Sequence, residues 1–595
     1  MKLLRKNNHV IQVFAILVAG FIVAFGSVTL YMNIWVKPIL IRQLKLAVYQ
    51  ATENLYQLEF SGMSVNVLTG DAHLNDVRFV ADTAVYRKLT VLQRAPNNVY
   101  HLSLKKLSVR NVHPWRVFRD RKLNIDEVII NRPRVTMINK QFAFNDDRPP
   151  RPVFSPYGMI SKFLDEVSID AIHFKDADFK YVDANSAVPV ADSISHFNVT
   201  LKDWLIDSQS AEDTSRFHLL KDVVLQLDTF SRITADSLYH IQAKALRFSA
   251  STGRLDAGEI SLTPRFSEMD FGKQQGNKRD RFTLQLKNME LTGIDLSAFL
   301  KKREIIATDL IIHDGHLAIF YHPGVQREAA PDPVLFPHQQ LQQLSTIVSI
   351  RQLLLHNLYI AYAEYNPSSR EKGRITFEKT SGTIRHISNS PEEIKRHPIM
   401  EANLSTYLMG QGELKTRFRF NLQAKDGAFS YSGYLGGLNG TVLNSVTKPL
   451  AMMHIKSGKV QSLRFNIQAD NHHATGNMAF KYNDLAIAVL KKEEGMSWFS
   501  RQGLLSFLAN NLIVNADNPD YLGTFRPASI DYVRDPNSSF FSFLWKTLFQ
   551  GIRHSVGVTP EKEARIKKHV ARFEKIKESR QKRKAARDRR RGADK

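Results

Sequence analysis

Two stretches decide the fold: YHLSLKKLSVRNVHPWRVFRDRKLNIDEVIINRPRVTMI (residues 100–138) and FTLQLKNMELTGIDLSAFLKKREIIATDLIIHDGHLAIF (residues 282–320). They align without a gap at a spacing of 182 positions. Leu102 falls on Leu284, Leu104 on Leu286, Leu107 on Met289 and Val109 on Leu291. In the second half Val128 falls on Leu310, Ile130 on Ile312, Val135 on Leu317 and Met137 on Ile319. Little identity survives. What survives is apolar–polar alternation, the period of a strand with one face turned to a core. Repetition of this kind builds a continuous surface from stacked units.

The same alternation runs outward from these stretches, from about residue 60 to Leu490, as in HIQAKALRFSA, LKTRFRFNLQA and LRFNIQA. A shorter motif recurs inside it, Ile-x-x-apolar-x-apolar, four residues, then apolar-x-apolar. It starts at Ile125, Ile169 and Ile350, with a degraded copy at Ala307. The four central residues (131–134, 175–178, 313–316 and 356–359) read as tight corners between a strand and its return. Pro-rich connectors also recur, RPPRPVFSPYGMISKFLDEV before Ile169 and APDPVLFPHQQLQQLSTIVS before Ile350. The spacing therefore predicts a duplicated β unit over roughly residues 100–181 and 282–362.

The chain has 82 Lys+Arg against 58 Asp+Glu, a net charge of +24, which favours anionic partners and says nothing about fold. It has no cysteine, which excludes disulfides, thiolate metal sites and cysteine nucleophiles. No charged residue occurs between Lys6 and Lys37, and residues 10–36 are long and apolar enough to cross a bilayer. Two readings stand, an uncleaved anchor and a signal peptide cut after Ala24-Phe25-Gly26; apolar sequence continuing to Val36 favours the anchor. Near the other end, SSFFSFLWKTLFQGIRHSV (538–556) puts Phe541, Leu544, Trp545, Leu548 and Ile552 on one helical face. That face suits membrane contact at an interface or a cap on the end of the sheet. From Glu561 onward, 16 Lys/Arg stand against 6 Asp/Glu, a basic tail suited to anionic headgroups.

Candidate chemistry is sparse. His313-x-x-His316 and His472-His473 are the nearest approach to metal ligands, and no third ligand follows at a recognisable spacing. Gly436-Gly437-Leu438-Asn439-Gly440 is Gly-rich but leads into no Lys-Ser/Thr, so it reads as a turn. No hydrolase, kinase or dinucleotide fingerprint occurs, so the expectation is a protein that is not an enzyme and needs no cofactor.

The amino-terminal anchor, the strand motif VIINRPRVTM and the stretch 433–490 together resemble the AsmA-like family of envelope proteins. In the last stretch the matching positions are Asn444, Pro449, Ser457-Gly458, Gly476, Tyr482, Asp484 and Leu485. That family is similar to TamB and to the bridge-like lipid transfer proteins. The resemblance implies a mainly β chain: an N-terminal transmembrane helix, then an elongated, repeated antiparallel sheet curled into a groove, and a C-terminal amphipathic helix. The domains expected are a cytoplasmic tail (1–9), the transmembrane helix (10–36), a juxtamembrane helix (37–60), two β-rich repeat units (61–281 and 282–495), a C-terminal helical region (496–557) and the basic tail (558–595).

It also implies an inner-membrane, single-pass protein with its body in the periplasm, handling phospholipid for outer-membrane biogenesis or maintenance. The groove residues expected are Leu102, Leu104, Val128, Ile130, Leu284, Leu286, Leu310 and Ile312. The partners expected are phospholipid and the inner membrane, with the inner leaflet of the outer membrane or envelope proteins met through the C-terminal helix and basic tail. Nucleic acid is not expected, because no aromatic residue interleaves with ESRQKRKAARDRRR. A scaffold whose β body closes into a sandwich is the other reading.

Overall fold

A computed structural model describes residues 54–489 and 514–558, with gaps at 67–68, 146–155, 163, 186–189, 211, 214, 217–218, 273–279 and 323–333, plus isolated positions from 41 to 52 and 561. The tail and membrane segment expected over 1–36, most of the juxtamembrane helix, residues 490–513 and the tail beyond 561 lie outside the described residues. Among the described residues no helix is long and apolar enough to cross a membrane.

Strands dominate, and they hydrogen-bond into one mixed sheet of 22 strands. The chain divides into two compact units, residues 1–230 with 244–253, and 231–243 with 254–595.

The first unit holds β1 (Tyr56–Glu59), β2 (Gly62–Asn66), β3 (Asp71–Ala81), helix α1 (Thr83–Val91), β4 (Asn98–Val112), α2 (Pro114–Asp120), β5 (Lys122–Asn131), β6 (Arg134–Asn139), α3 (Pro156–Ile160), β7 (Glu166–Asp183) and β8 (Val190–Ile206). β9 (Leu220–Ile233) and β10 (Tyr239–Ser249) follow at the hand-over between units. The chain is already strand at Tyr56, so the helix expected over 37–60 does not reach its predicted end. Tyr-Gln-Leu-Glu alternates and pairs antiparallel with β3 (Tyr56 with Ala81, Leu58 with Phe79), and those partners override local helix propensity.

The second unit runs through β11 (Arg254–Pro264), β12 (Arg281–Thr292), α4 (Leu296–Lys302), β13 (Ile305–Tyr321), α5 (Pro337–Gln342), β14 (Val348–Asn366), β15 (Glu371–Ser388), α6 (Pro391–Arg396), β16 (Ile399–Leu408), β17 (Gly412–Asn421), β18 (Phe429–Leu435), β19 (Leu438–Asn439), α7 (Asn444–Ala451), β20 (Met453–Ala469), β21 (His473–Val489), β22 (Ala528–Val533) and α8 (Phe540–Ser555).

The duplication seen in the sequence is a duplication of structure. Adding 182 to the bounds of α2 gives those of α4. Both helices stop on a left-handed arginine, Arg121 (φ 55°) and Arg303 (φ 60°), which sit at equivalent positions. The register repeats as well: Val109 pairs with Val128 and Leu107 with Ile130, as Leu291 pairs with Leu310 and Met289 with Ile312.

Two expectations are corrected. The sheet is mixed, because β5 and β6 pair parallel with β7, and β13 pairs parallel with β14. Parallel neighbours need a crossover, and the recurring Pro-rich connectors are those crossovers. Nor are the four-residue corners returns. β7, β13 and β14 run straight through them, and β5 and β6 run in the same direction, both antiparallel to β4. The motif steps five residues from Ile130 to Val135, or from Phe174 to Phe179, and an odd step would turn the next apolar residue to the wrong face. A bulge absorbs the extra residue. Its left-handed residue is Arg132 (φ 48°), Asp176 (φ 55°) or Asn357 (φ 53°) in three of the copies. Ser457-Gly458 is likewise a bulge inside β20, where Gly458 reaches φ 145°, and Asn444 opens α7.

Candidate functional site

Cross-strand register assembles the alternating positions into apolar rows, since directly opposed residues share a face. In the first unit one row is Leu74, Leu107, Ile130, Phe174, Val199 and Leu225, each paired with the next across six strands. The next row is Ala72, Val109, Val128, Ile172, Leu201 and Val223. A third contains Phe79, Leu102, Val135, Phe179 and Ile194. Leu104 is buried beside Val77, but the residues of these three rows are half-buried, and Leu225 and Ile194 are exposed. These side chains keep part of their surface open.

In the second unit Leu286, Ile312, Leu355 and Leu358 are buried together, with Leu284, Met289, Leu310, Leu353, Ile360, Ile384 and Leu404 packed around them. Every one of these is a strand residue. Gly315 lets this patch close up: it pairs with Leu286, and a Cβ there would come within 2.9 Å of the Leu286 Cδ2 atom. Of the residues expected in a groove, Leu102, Val128 and Ile130 lie in these rows, Leu104 is buried beside Val77, and Leu284, Leu286, Leu310 and Ile312 belong to the second-unit cluster. The structure brings Leu102, Leu104, Val128 and Ile130 into one unit and Leu284, Leu286, Leu310 and Ile312 into the other.

The face of β16–β22 is different, because α8 packs on it. Phe543 is fully buried and stacks 5.8 Å from Phe336, while Phe540 meets Phe336 edge-on at 5.7 Å. Ser542, Thr547, Gly551 and Ser555 make a buried seam of small residues that lets the helix approach closely. A Cβ on Gly551 would stand 2.9 Å from Ile530 Cδ1 and Met478 Cε. Phe541, Leu544, Leu548 and Ile552, expected as membrane contacts, are half-buried and pack against this same core. Trp545 sits with Phe541 beside Ile319, Tyr321 and Tyr362.

At this edge the sheet holds a polar cluster that alternation does not reveal. Glu364, 5% exposed, accepts from Tyr362 Oη (2.8 Å) and Trp545 Nε1 (2.9 Å), and Lys546 Nζ lies 3.6 Å away. Burial and the neighbouring Glu364 charge push the Tyr362 hydroxyl well above its ordinary range. Asp280 is raised to about 7, first by burial and then by Glu364, despite a hydrogen bond to Ser539. Arg534 lies 4.1 Å over the Phe336 ring and donates to the carbonyls of Asn471, Val334 and Ser538; burial lowers it to about 10. The sequence signal for Glu364 and Asp280 is no more than a carboxylate adjoining an alternating strand.

Other polar candidates are accounted for by local partners. His313 stacks on His356 at 5.5 Å and sits 3.5 Å from Glu290; His316 stacks on Tyr359; His473 bonds Asp531. Among the described residues no group of three metal-ligating side chains converges. A shallow depression on β15–β20 carries Lys415, Arg417 and Arg464. Lys415 is paired with Glu413, Arg417 is paired with Glu401, and Arg464 stacks on Tyr434.

Compared with protein-family models and with curated proteins, the chain matches none.

Proposed function

We propose that this chain is a membrane-anchored, periplasmic lipid-handling protein of AsmA-like type, whose apolar sheet face curls into a groove for phospholipid acyl chains. The observation that carries this reading is the set of half-buried apolar rows in the first unit, three rows deep and five or six strands wide. A contiguous apolar patch beyond a few hundred Å² calls for an apolar partner. Acyl chains fit it chemically, since they need no hydrogen bonds and gain about 0.8 kcal/mol for each CH₂ taken out of water. Ten methylenes laid along such rows would gain about 8 kcal/mol before the cost of ordering them. In this reading residues 10–36 anchor the chain in the inner membrane. The headgroups travel along the polar rim, and the basic tail meets anionic lipid. Catalysis has no part in it.

A scaffold reading draws on one observation, the filled core that α8 makes with β16–β22. If the whole apolar face were covered in that way, the protein would act through its outer surface.

Lipid mass spectrometry on the full chain purified in mild detergent separates them. The expected result is co-purifying phospholipid, lost in Leu104→Asp, Ile130→Asp and Leu286→Asp variants that keep wild-type circular dichroism and melting behaviour. A folded wild type free of lipid would refute the groove and leave the scaffold.

A further inference from the structure

Helix α1 and the turn after it carry a second surface that the groove does not use. α1 is anchored from below: Leu89 is buried among Leu55, Tyr56, Ala81, Ala95 and Val99. Asp82 caps its start by accepting from the Ala84 and Val85 amides. Its end is fixed by hydrogen bonds from the Leu92 amide to Lys88, and from the Arg94 and Ala95 amides to the Leu89 carbonyl. On this fixed turn Val91 is 83% and Leu92 54% exposed. Arg87, Lys88 and Arg94 are exposed around them.

The chain reaches α1 from the apolar segment at residues 10–36. Helical positions Leu46 and Tyr49 are exposed, as are Arg42 and Lys45, the last with its ammonium 5.2 Å over Phe60. Hydrogen bonds from the Asn54 amide to Tyr49 and from the Leu55 amide to Thr52 lead straight into the strand that packs under α1. Only 18 residues (37–54) separate the apolar segment from this point, a tether of about 60 Å at full stretch. Adjacent apolar side chains ringed by cations, on a short tether to a bilayer, are the composition of an interfacial contact.

We propose that the α1 turn is a second foot on the membrane: Val91 and Leu92 enter the headgroup boundary of an anionic phospholipid bilayer, with Arg87, Lys88 and Arg94 on its phosphates. The proposal rests on the reading of residues 10–36 as a bilayer anchor. It adds that the first unit is held against the surface at two points, which would fix the near end of the apolar rows beside the lipid source.

The absence of cysteine makes the test direct. A Leu92→Cys variant of the full chain, labelled with an environment-sensitive nitrobenzoxadiazole dye, is reconstituted into liposomes of phosphatidylcholine alone or with one-quarter phosphatidylglycerol. A labelled Thr252→Cys variant, exposed on the turn before β11, is the control. The expected result is blue-shifted emission at position 92, quenched by shallow spin-labelled lipid and stronger with phosphatidylglycerol. Arg87→Glu/Lys88→Glu should cut the engaged-to-free ratio by about fivefold for each cation lost. Flotation of the chain with a water-exposed label at position 92, matching position 252, would overturn the foot and leave the anchor standing. Failure of the chain to float at all would overturn the anchor and the foot together.

Discussion

Replacing Asp280 with Asn should flatten the pH dependence of the second unit. One oxygen of the Asp280 carboxylate is buried without a partner, Ser539 bonds the group, and Glu364 adds a like charge. Its pKa is about 7 in the folded chain against an ordinary 3.8. Below about pH 4 folded and unfolded chains both hold the proton, and the carboxyl costs nothing. Between pH 4 and 7 the folded chain keeps a proton that the unfolded chain has released, so stability falls as pH rises. Above 7 the full penalty applies, about 3 pKa units at 1.36 kcal/mol each, or about 4 kcal/mol.

Asn carries no such charge, so Asp280→Asn should match wild type near pH 4 and exceed it by a few kcal/mol at pH 8. Urea unfolding of both proteins at pH 5, 6, 7 and 8, followed by intrinsic tryptophan fluorescence, measures this. His338 acts in the opposite sense. Burial lowers it to about 4, so it favours the folded chain as pH rises from 4 to 6.5. It is present in both proteins and drops out of their difference. Parallel stability curves from pH 5 to 8 would refute the assignment of Asp280 as a carboxylate raised by its buried, unpartnered oxygen.

Five other substitutions test the architecture. Phe543→Ala empties the space between Phe336 and Tyr532 and should destabilise the second unit by about 3–5 kcal/mol in urea unfolding; a loss under 1 kcal/mol would mean that α8 is not docked as described. Arg303→Gly relieves a left-handed helix end and should raise stability by up to about 1 kcal/mol, whereas Arg121→Gly relieves the equivalent end but also loses the Arg121 bonds to Asp165 and the Ser161 carbonyl, so its gain should be smaller. No gain at Arg303 would refute the assignment of a strained helix end there. Gly382→Ala sets a Cβ 2.1 Å from the Asn403 carbonyl at φ 152°, so it should lower the melting temperature, while Ala at Gly436, whose nearest neighbour is 3.7 Å away, should not.

The repeat was legible because alternation is a one-dimensional record of a two-sided sheet. Substitution within the apolar class leaves that record intact while identity decays. The direction of the strands was not legible. The step from Ile130 to Val135 is odd whether the chain turns back or bulges, and nothing local separates the two. The separation lies in distant partners: β4 accepts both β5 and β6 antiparallel, which only a continuing strand allows. The parallel pairing of β7 is equally non-local: it is set by its register with β5 and β6, and the connector before it supplies only the length a crossover needs.

The candidate site divides along the same line. The apolar rows are a periodic property and were found from residues such as Leu284, Leu310 and Ile312. The cluster of Asp280, Glu364, Tyr362 and Trp545 is not periodic, because it joins strand residues to a helix 181 positions away in sequence. The composition of the helix left two readings open, because a face of Phe, Leu, Trp and Ile suits a bilayer interface as well as a cap on the sheet. In the structure the deepest seam is Ser542, Thr547, Gly551 and Ser555, because a close approach to Met478 and Ile530 requires small side chains. The large residues then flank that seam and cover the neighbouring strands. Trp545, half-buried, still spends its indole N–H on Glu364, so the helix is fixed in rotation by a hydrogen bond as well as by packing. A bilayer would have to compete with that bond and with the core around Phe543. The α1 turn meets no such packed core at Val91 and Leu92, which stand exposed on a backbone that is already fixed.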